Sequence, residues 1–308
     1  MSAQRDKIIV LVGPTGVGKT GVAIEVAKEL GGEIVNADSM QVYRYMDVGT
    51  AKPTARERAA VPHHLLDILD PDEDFDAFIY AKMARAAIAE IRQRDRLAVV
   101  VGGTGLYLKS LLYGLFPGAA KDAEVRQRLR KEAADKGDTF LYQRLQEVDP
   151  ETARRLNPRD LVRVVRALEV WECTGTPISK LQKEHGFSQS MYRALKIGLH
   201  LPRNELYARI ERRADEMLTA GLVAEVQDLL QRGYGPELKS MQALGYRHMV
   251  RVVKGEMVLE KAVDSMKRDT RRYAKRQLTW FRQDQEIHWF TPAEKDSIVR
   301  LAREYLES

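Results

Sequence analysis

The segment that decides the fold lies near the N-terminus and reads Gly13-Pro14-Thr15-Gly16-Val17-Gly18-Lys19-Thr20. It matches the P-loop pattern G-x-x-x-x-G-K-[ST], in which backbone N–H groups curl around a phosphate at the positive end of a helix. The apolar run Ile8–Val12 before it predicts a strand buried on both faces, and apolar residues at helical spacing follow to Leu30. We therefore expect Lys19 to meet the β-phosphate of a ligand and the Thr20 hydroxyl to bind Mg²⁺.

Strand and helix signals alternate beyond this loop. Glu33–Asn36 is the predicted second strand, Asp76–Arg94 a helix, and Leu97–Val101 a third buried strand that Gly102-Gly103 ends. This alternation predicts an α/β fold, with a P-loop NTPase-like parallel sheet flanked by helices and joined by right-handed crossovers.

Only helical periodicity is found from Asp122 to about Glu184, which predicts an all-α lobe inserted into this core. Its third helix is expected to have Pro158 in the first turn and to end near Gly175. The other predicted elements are helices at Glu124–Lys136, Phe140–Leu145, Pro202–Gly221 and Val258–Gln283, and strands at Ala194–Leu201 and Glu286–Phe290. The predicted domains are a first part of the core at 1–118, a helical insertion at 119–190, and the remainder of the core, with the basic helix, at 191–308.

The composition is that of a folded protein. The chain has 308 residues, of which 44% are hydrophobic and 31% charged, so it is long enough for two domains. Cys173 is the one cysteine, which excludes an internal disulfide and a cysteine-based zinc site. No apolar run approaches the roughly 20 residues of a membrane span. We therefore expect a cytoplasmic monomer that does not bind membranes.

One residue typical of nucleotide hydrolysis is missing. An NTPase normally holds Mg²⁺ and water with an aspartate at the end of a second apolar strand. Here Leu97–Val101 is followed by Gly102-Gly103-Thr104, and Asp67 follows only a pair of leucines. The P-loop is therefore expected to hold a phosphate without hydrolysing it, and a diphosphate leaving group would fit equally well.

Asp38 and Thr104 each follow a predicted strand, where ligands of open α/β sheets lie. Asp38 could be a general base or could cap the next turn, and its position alone leaves both possibilities open. Thr104 and the glycines before it could contact an anion, or the glycines could simply end the strand. His63 and His64 have no acid or cysteine at metal-binding spacing, which favours a structural or substrate-contact role.

The positive charge is concentrated in the predicted helix Val258–Gln283. The net charge of the chain is +6, and six basic residues form two adjacent rows with a spacing of four on this helix. They are Lys267, Arg271 and Lys275 in one row and Arg268, Arg272 and Arg276 in the other. A solvated face is the usual role of such a run, but an unpaired stripe of this length favours contact with a nucleic-acid backbone.

Two smaller groups of arginines have helical spacing. Arg159, Arg163 and Arg166 are predicted to share a face of the helix at Pro158. Arg209 and Arg213 could clamp a diphosphate from the side opposite the P-loop, or could make surface ion pairs with neighbouring acids.

Seven segments together resemble the tRNA dimethylallyltransferases, also called tRNA isopentenyltransferases. In family order they are GPTGVGKT (13–20), NADSMQVYRYMDVGTAKP (36–53), PHHLLDI (62–68), VVVGGTGLY (99–107), RIERR (209–213), ALGYR (243–247) and RRYAKRQLTWFR (271–282). The resemblance covers nearly the whole chain, whereas the insertion resembles the family mainly in RALEV (166–170). It implies transfer of a dimethylallyl group from dimethylallyl diphosphate to N6 of adenosine 37, beside the anticodon, in tRNAs that read codons beginning with U. The products would be N6-(dimethylallyl)adenosine and diphosphate, and the base would be flipped out of its stack.

The resemblance also implies roles for individual residues. Asp38 would be the general base, and Thr104 would lie between donor and acceptor. The P-loop, Mg²⁺ bound through Thr20, and Arg213 would hold the departing diphosphate. The residues implied to meet the anticodon stem-loop of tRNA are Asp38, Ser39, Met40, Gln41, Thr104, Arg126, Arg163, Arg166, Gln242, Gly245, Tyr246, Arg247, Lys275, Arg276, Gln277, Trp280 and Arg282.

Such a reaction accounts for the missing NTPase aspartate, because an allylic carbon activated by its leaving group needs no catalytic water. Two alternatives remain. A P-loop small-molecule kinase would share the loop and the core but would give the basic helix no role. An RNA-binding protein with a nucleotide switch would need that helix but would have no use for Asp38 beside the loop.

Overall fold

The computed structural model describes residues 5–116, 122–187 and 189–308. Within these ranges the core is a six-stranded parallel sheet with the strand order β3-β2-β4-β1-β5-β6. The strands are β1 (Lys7–Val12), β2 (Gly32–Asn36), β3 (His63–His64), β4 (Leu97–Gly102), β5 (Arg193–Leu199) and β6 (His288–Phe290). The predicted α/β fold is therefore confirmed.

The central strands are buried on both faces, which explains their continuous apolar composition. Strand β1 lies between β4 and β5, and Ile9, Val99 and Ile197 have no exposed surface. The chain runs from β1 outward to β2 and β3 and then returns to place β4 between β2 and β1. The carboxyl ends of β1 and β4 are therefore neighbours at a point where the strand order reverses, which is where ligands lie in such sheets.

Fourteen helices accompany the sheet in the described ranges. In chain order they are α1 (Lys19–Glu29), α2 (Ala55–Ala60), α3 (Ala77–Gln93), α4 (Gly105–Tyr113), α5 (Ala123–Lys136), α6 (Asp138–Val148), α7 (Pro150–Arg155), α8 (Leu161–Thr174), α9 (Ile178–His185), α10 (Arg203–Thr219), α11 (Leu222–Gln231), α12 (Tyr246–Val253), α13 (Leu259–Phe281) and α14 (Lys295–Glu307). The helix predicted from Asp76 is α3, and the Asp76 side chain caps it by accepting hydrogen bonds from the amides of Phe78 and Ile79. None of the described helices combines the length and apolar composition needed to cross a membrane.

The chain divides into two compact units, one formed by Met1–Leu112 with Met191–Ser308 and the other by Tyr113–Ser190. The described part of the second unit is all-helical, as predicted for the insertion, and has its own core around Leu129, Leu145 and Leu168. The predicted boundary between residues 118 and 119 lies outside the described residues. A separate apolar core of this kind allows an inserted segment to fold as a body of its own.

Several details of the predicted elements were wrong. Helix α8 begins at Leu161 rather than near Pro158, because the Asp160 side chain caps it by accepting a hydrogen bond from the Arg163 amide. Arg159 therefore precedes the helix and cannot share a face of it. The two-residue strand β3 and the short helices α7 and α9 were not predicted, because elements of this length hold too few residues for a periodicity.

Candidate active site at the P-loop

The P-loop connects β1 to α1 and orients the first amides of that helix. Gly18 has a φ of 101°, a left-handed conformation that a side chain disfavours, and it directly precedes the helix. Lys19 and Thr20 are the first two residues of α1. The Nζ of Lys19 donates hydrogen bonds to the carbonyl oxygens of Gly13 and Pro14, each at 2.9 Å. The lysine is thus held against the loop that surrounds it.

A cavity of about 940 Å³ opens beside this loop. Its size is that of a pocket for a small molecule, since such pockets measure roughly 300–1,000 Å³. The predicted site residues that line it are Thr15, Gly16, Gly18, Lys19, Thr20, Asp38, Gln41, Arg213 and Gln277. The cavity therefore brings together the P-loop, the end of β2 and helix α10.

Asp38 both caps a turn and lines the cavity, so its two predicted roles are compatible. Its Oδ1 accepts hydrogen bonds from the amides of Met40 at 2.8 Å and Gln41 at 3.4 Å. No described residue donates a hydrogen bond to Oδ2. One carboxylate oxygen thus orients the side chain, and the other has the acceptor capacity that a general base requires.

Lys19 and Arg213 place two positive charges beside Asp38. Burial lowers the pKa of Lys19 to about 8, the charge of Asp38 opposes this shift, and the charge of Arg213 adds to it. Burial also lowers the pKa of Arg213, again against the charge of Asp38. Two cations that line the same cavity strongly favour an anionic ligand.

Arg209, the second residue of the predicted clamp, is shared between two roles. It lines the cavity, and its guanidinium donates to the carbonyl oxygen of Val17 at 3.4 Å. It also forms an ion pair with Glu205 at 2.9 Å, four residues earlier on α10. Arg209 therefore supports the loop from outside, whereas Arg213 interacts electrostatically with the groups inside the cavity.

Thr104 is connected to Asp38 through the neighbouring backbone, although it is not a wall residue of the cavity. Its Oγ1 accepts a hydrogen bond from the Ser39 amide at 3.2 Å, and its side chain interacts with that of Tyr273 on α13. Burial, followed by the negative charge of Asp38, raises the pKa of Tyr273 to about 12. The ends of β2 and β4 and helix α13 thus meet at one point, and Tyr273 was not predicted as part of it.

The segment after β2 contains an ion network around one buried lysine, which the sequence pattern did not reveal. The side chain of Lys52 is 1% exposed and pairs with Asp47 and Asp67, each at 2.5 Å. Arg58 also contacts Asp67 at 2.5 Å. Burial opposes ionisation of Asp67, but these two cations hold its pKa below the usual range. Asp67 therefore stabilises the segment that carries Lys52 and Arg58, both of which line the cavity.

Glu225 on α11 fixes the same wall from outside. Its Oε2 accepts hydrogen bonds from the amides of Asp47 at 2.9 Å and Val48 at 2.7 Å. Its Oε1 accepts from the Gly49 amide at 3.0 Å and from the hydroxyl of Tyr246 at 2.6 Å. Tyr246, which the sequence suggested as a tRNA contact, is fully buried and donates its hydroxyl hydrogen bond to this carboxylate.

The two histidines of β3 have structural partners. His64 Nε2 lies 2.7 Å from a carboxylate oxygen of Glu33, and His63 Nδ1 lies 2.7 Å from the carbonyl oxygen of Val61. Across the described ranges, no three histidine, cysteine, aspartate or glutamate residues cluster as a metal site. The structural role expected for His64 is consistent with this geometry, while His63 also lines the cavity.

The prediction of an unpaired basic stripe on α13 was wrong for most of its members. Lys267 pairs with Asp215 at 2.6 Å and Arg271 with Glu211 at 2.5 Å, because α10 packs alongside and presents acids at a matching spacing. Arg268 and Arg272 lie 3.6 Å and 3.7 Å from oxygens of Asp269. Lys275 and Arg276 are exposed, and no described carboxylate pairs with either.

The remaining predicted tRNA contacts fall into exposed and internal groups. The exposed residues are Arg163, Gln242, Arg247, Trp280 and Arg282. Gly245 and Gln277 are buried. Arg126 and Arg166 both bind the fully buried Glu169, at 2.6 Å and 2.9 Å. Burial opposes ionisation of Glu169, yet its hydrogen bonds with these arginines hold its pKa low, so both arginines stabilise the core of the inserted unit.

Known proteins are similar to this chain over most of its length. A family model described as IPP transferase matches residues 41–284. The tRNA dimethylallyltransferase of Syntrophobacter fumaroxidans is 55% identical over 298 residues, which are 96% of this chain and 87% of that protein. That of Desulfatibacillum aliphaticivorans is 50% identical over 304 residues, 99% of each chain.

Solved structures are similar over most of the chain. The full-length tRNA isopentenylpyrophosphate transferase from Bacillus halodurans has a TM-score of 0.73 and 40% identity, with 98% of this chain and 97% of that chain covered. A eukaryotic dimethylallyltransferase acting on tRNA has a TM-score of 0.77 and 30% identity, with 90% of this chain and 70% of that chain covered.

Proposed function

The chain belongs to the IPP transferase family, that of the tRNA dimethylallyltransferases, and on that premise we propose the reaction it performs and the residues responsible. It transfers a dimethylallyl group from dimethylallyl diphosphate to N6 of adenosine 37 in tRNAs that read codons beginning with U. The observation that carries this proposal is one cavity lined by the P-loop, Lys19, Arg213 and Asp38. That cavity holds both a cradle for a diphosphate and an acceptor for a proton.

The diphosphate of the donor lies in the P-loop. The amides at the start of α1 and the ammonium of Lys19 face its oxygens, and Arg213 approaches from α10. As the bond between the allylic carbon and oxygen breaks, negative charge grows on the diphosphate. The two desolvated cations stabilise that charge more than the charge of the bound donor, which accelerates the step.

The cavity also suits Mg²⁺ delivered with the diphosphate. Mg²⁺ is typically bound by one or two protein oxygens, with phosphate oxygens and water completing its shell. Thr20 and Asp38 both line the cavity, which matches such a small set of protein ligands. When bound, Mg²⁺ would neutralise part of the charge on the leaving group.

Asp38 completes the transfer by accepting the proton. The N6 lone pair of the adenosine attacks the allylic carbon, and the electrons of the breaking carbon–oxygen bond leave with the diphosphate. The N6 proton passes to Asp38, whose Oδ1 is already fixed by the amides of Met40 and Gln41. Thr104, whose Oγ1 accepts a hydrogen bond from the Ser39 amide, contacts the flipped adenosine.

The exposed end of α13 meets the anticodon stem-loop. Lys275, Arg276 and Arg282 supply charge for phosphates, and Trp280, which is 46% exposed, offers an aromatic surface for a base. On the inserted unit, the exposed Arg163 is the residue that we propose to contact a tRNA phosphate. Exposed Gln242 and Arg247 remain candidate contacts, whereas the buried Tyr246 and Gln277 have partners within the protein.

The acceptor is tested with synthetic anticodon stem-loops. The purified protein is incubated with dimethylallyl diphosphate, Mg²⁺ and stem-loops that carry A37 or G37, each with A36 or another base at position 36. Mass spectrometry of the nucleosides should find N6-(dimethylallyl)adenosine only with A37, and faster with A36. Equal product at other adenosines would refute the position, and product independent of base 36 would refute the codon preference.

A further inference from the structure

Gln277 differs from the other residues at the RNA-facing end of α13 because its side chain points inward. It is 7% exposed, whereas Lys275 and Arg276 are exposed. Its Oε1 accepts a hydrogen bond from the Thr15 amide at 2.9 Å, and its Nε2 donates one to the carbonyl oxygen of Gly103 at 2.9 Å. Both ends of the carboxamide are therefore used, one by the P-loop and one by the loop after β4.

The loop after β4 is shaped to receive this side chain. A Cβ at Gly103 would lie 2.3 Å from Nε2 of Gln277, so a larger residue there would displace the carboxamide. The next residue, Thr104, interacts with Tyr273, which lies one turn before Gln277 on α13. Through Gln277, helix α13 thus holds both the loop after β4 and the P-loop.

We propose that Gln277 is a positioning residue that fixes the P-loop and Gly103–Thr104 relative to the RNA-facing helix. This inference rests on the proposed function, since it assigns the P-loop to the donor and α13 to the tRNA. A carboxamide is suited to the task because it presents one acceptor and one donor at the same end of a side chain. Gln277 thereby holds the donor site and the acceptor site in one fixed arrangement, without touching tRNA.

Loss of the two hydrogen bonds of Gln277 should impair binding and reaction of dimethylallyl diphosphate. Methionine has nearly the shape of glutamine but makes neither hydrogen bond, so Gln277→Met leaves the Thr15 amide and the Gly103 carbonyl without a partner. A small displacement of reacting groups is costly, and about 100-fold in rate can be lost for about 1 Å. We expect the KM for dimethylallyl diphosphate to rise and kcat to fall, each by about tenfold or more.

The experiment compares three variants of the full chain. Steady-state kinetics give kcat and the KM for dimethylallyl diphosphate, and a filter-binding titration gives the Kd for an A37 stem-loop. Gln277→Met should change the kinetic constants and leave the Kd for the stem-loop within about twofold of the wild type. Arg276→Ala should do the reverse by weakening stem-loop binding while leaving the KM for the donor unchanged. Gln93→Met makes the same chemical change at an exposed position on α3 near the amino ends of the strands, and should change neither.

Each outcome bears on the inference. A weakened Kd for the stem-loop with an unchanged donor KM would make Gln277 a tRNA contact and overturn the proposal, as would wild-type values for all constants. If Gln277→Met does not fold, Gln277→Glu keeps the acceptor for Thr15 and loses the donor to Gly103. It should raise the donor KM without changing the Kd for the stem-loop, and an unchanged donor KM would overturn the proposal equally. A wild-type protein that transfers no dimethylallyl group would refute the proposed function instead.

Discussion

Lys19 is the residue whose ionisation the cavity perturbs most clearly. Its pKa is lowered to about 8, first by burial, with Asp38 opposing and Arg213 reinforcing the shift. Below that pH the ammonium is charged and attracts a diphosphate; above it the neutral amine does so much less. A bound diphosphate stabilises the charged form, so binding of the donor and protonation of Lys19 are linked.

We therefore predict that the affinity for dimethylallyl diphosphate falls as pH rises through about 8, by up to about tenfold per pH unit. Isothermal titration calorimetry over a pH series measures this dependence. Lys19→Arg is the matched variant, because a guanidinium keeps its charge throughout this range. Lys19→Arg should bind the donor more weakly, but its affinity should not fall as pH rises through about 8. If both proteins lost affinity over the same pH range, the titrating group would not be Lys19.

For Asp38 the capping role and the catalytic role can be separated by one substitution. Asp38→Asn keeps an oxygen for the amides of Met40 and Gln41 but removes the base. We expect kcat to fall by about 10²–10⁴-fold while the thermal midpoint and the Kd for the stem-loop stay near wild type. Asp38→Ala should lose stability as well, because the turn loses its cap. Full activity of Asp38→Asn would exclude Asp38 as the base.

At the scale of secondary-structure elements, α10 divides the basic face of α13 into a paired part and an exposed part that we propose to bind RNA. Lys267 and Arg271 pair with acids of α10, whereas Lys275 and Arg276 are exposed beyond them. Phosphate contacts release counterions, so they are detected in the salt dependence of binding.

Replacing Lys275 and Arg276 together by alanine should therefore reduce the slope of log K against log salt by about 2, or about 1 per phosphate contact. The matched double variant Lys267→Ala with Arg271→Ala removes the same charge from the same helix and should leave the slope nearly unchanged. Titrations of an anticodon stem-loop at several salt concentrations measure both slopes. Equal slopes for the two variants would contradict the division of the helix.

Helix α11 stabilises the cavity wall through one carboxylate. Glu225 accepts hydrogen bonds from the amides of Asp47, Val48 and Gly49 and from the hydroxyl of Tyr246. Glu225→Gln turns an NH₂ group toward some of these donors and should lower the free energy of unfolding by about 1–3 kcal/mol. Tyr246→Phe removes a single hydrogen bond and should cost about 1 kcal/mol. Denaturant titration of both variants measures these losses of unfolding free energy. A larger loss in Tyr246→Phe than in Glu225→Gln would contradict the central role of the carboxylate.

At the scale of the whole molecule, the sequence predicted the sheet, the inserted helical lobe and the P-loop cavity because each depends on local patterns. The P-loop motif and the apolar runs are contiguous, so Lys19 and Asp38 could be assigned to the carboxyl edge of the sheet. The resemblance to the tRNA dimethylallyltransferases was confirmed by relatives aligned over nearly the whole chain.

The ion pairs and hydrogen bonds between distant elements could not be predicted from the sequence, because they depend on tertiary neighbours. Pairing of Arg271 with Glu211 needs two helices that are 60 positions apart in sequence, and the link from Gln277 to Thr15 spans 262 positions. Exposure decides whether a basic or amide side chain meets RNA or a partner within the protein. A charge pattern on one helix contains no information about the acids that face it.

The central claim is that the P-loop holds a diphosphate leaving group and does not use ATP. It is tested most directly by incubating the enzyme with doubly labelled dimethylallyl diphosphate and an A37 stem-loop, without ATP, and measuring the diphosphate released and the allyl label bound to RNA. We predict equal molar amounts of free diphosphate and N6-(dimethylallyl)adenosine. Diphosphate release without labelled RNA, or transfer that requires ATP, would contradict the claim.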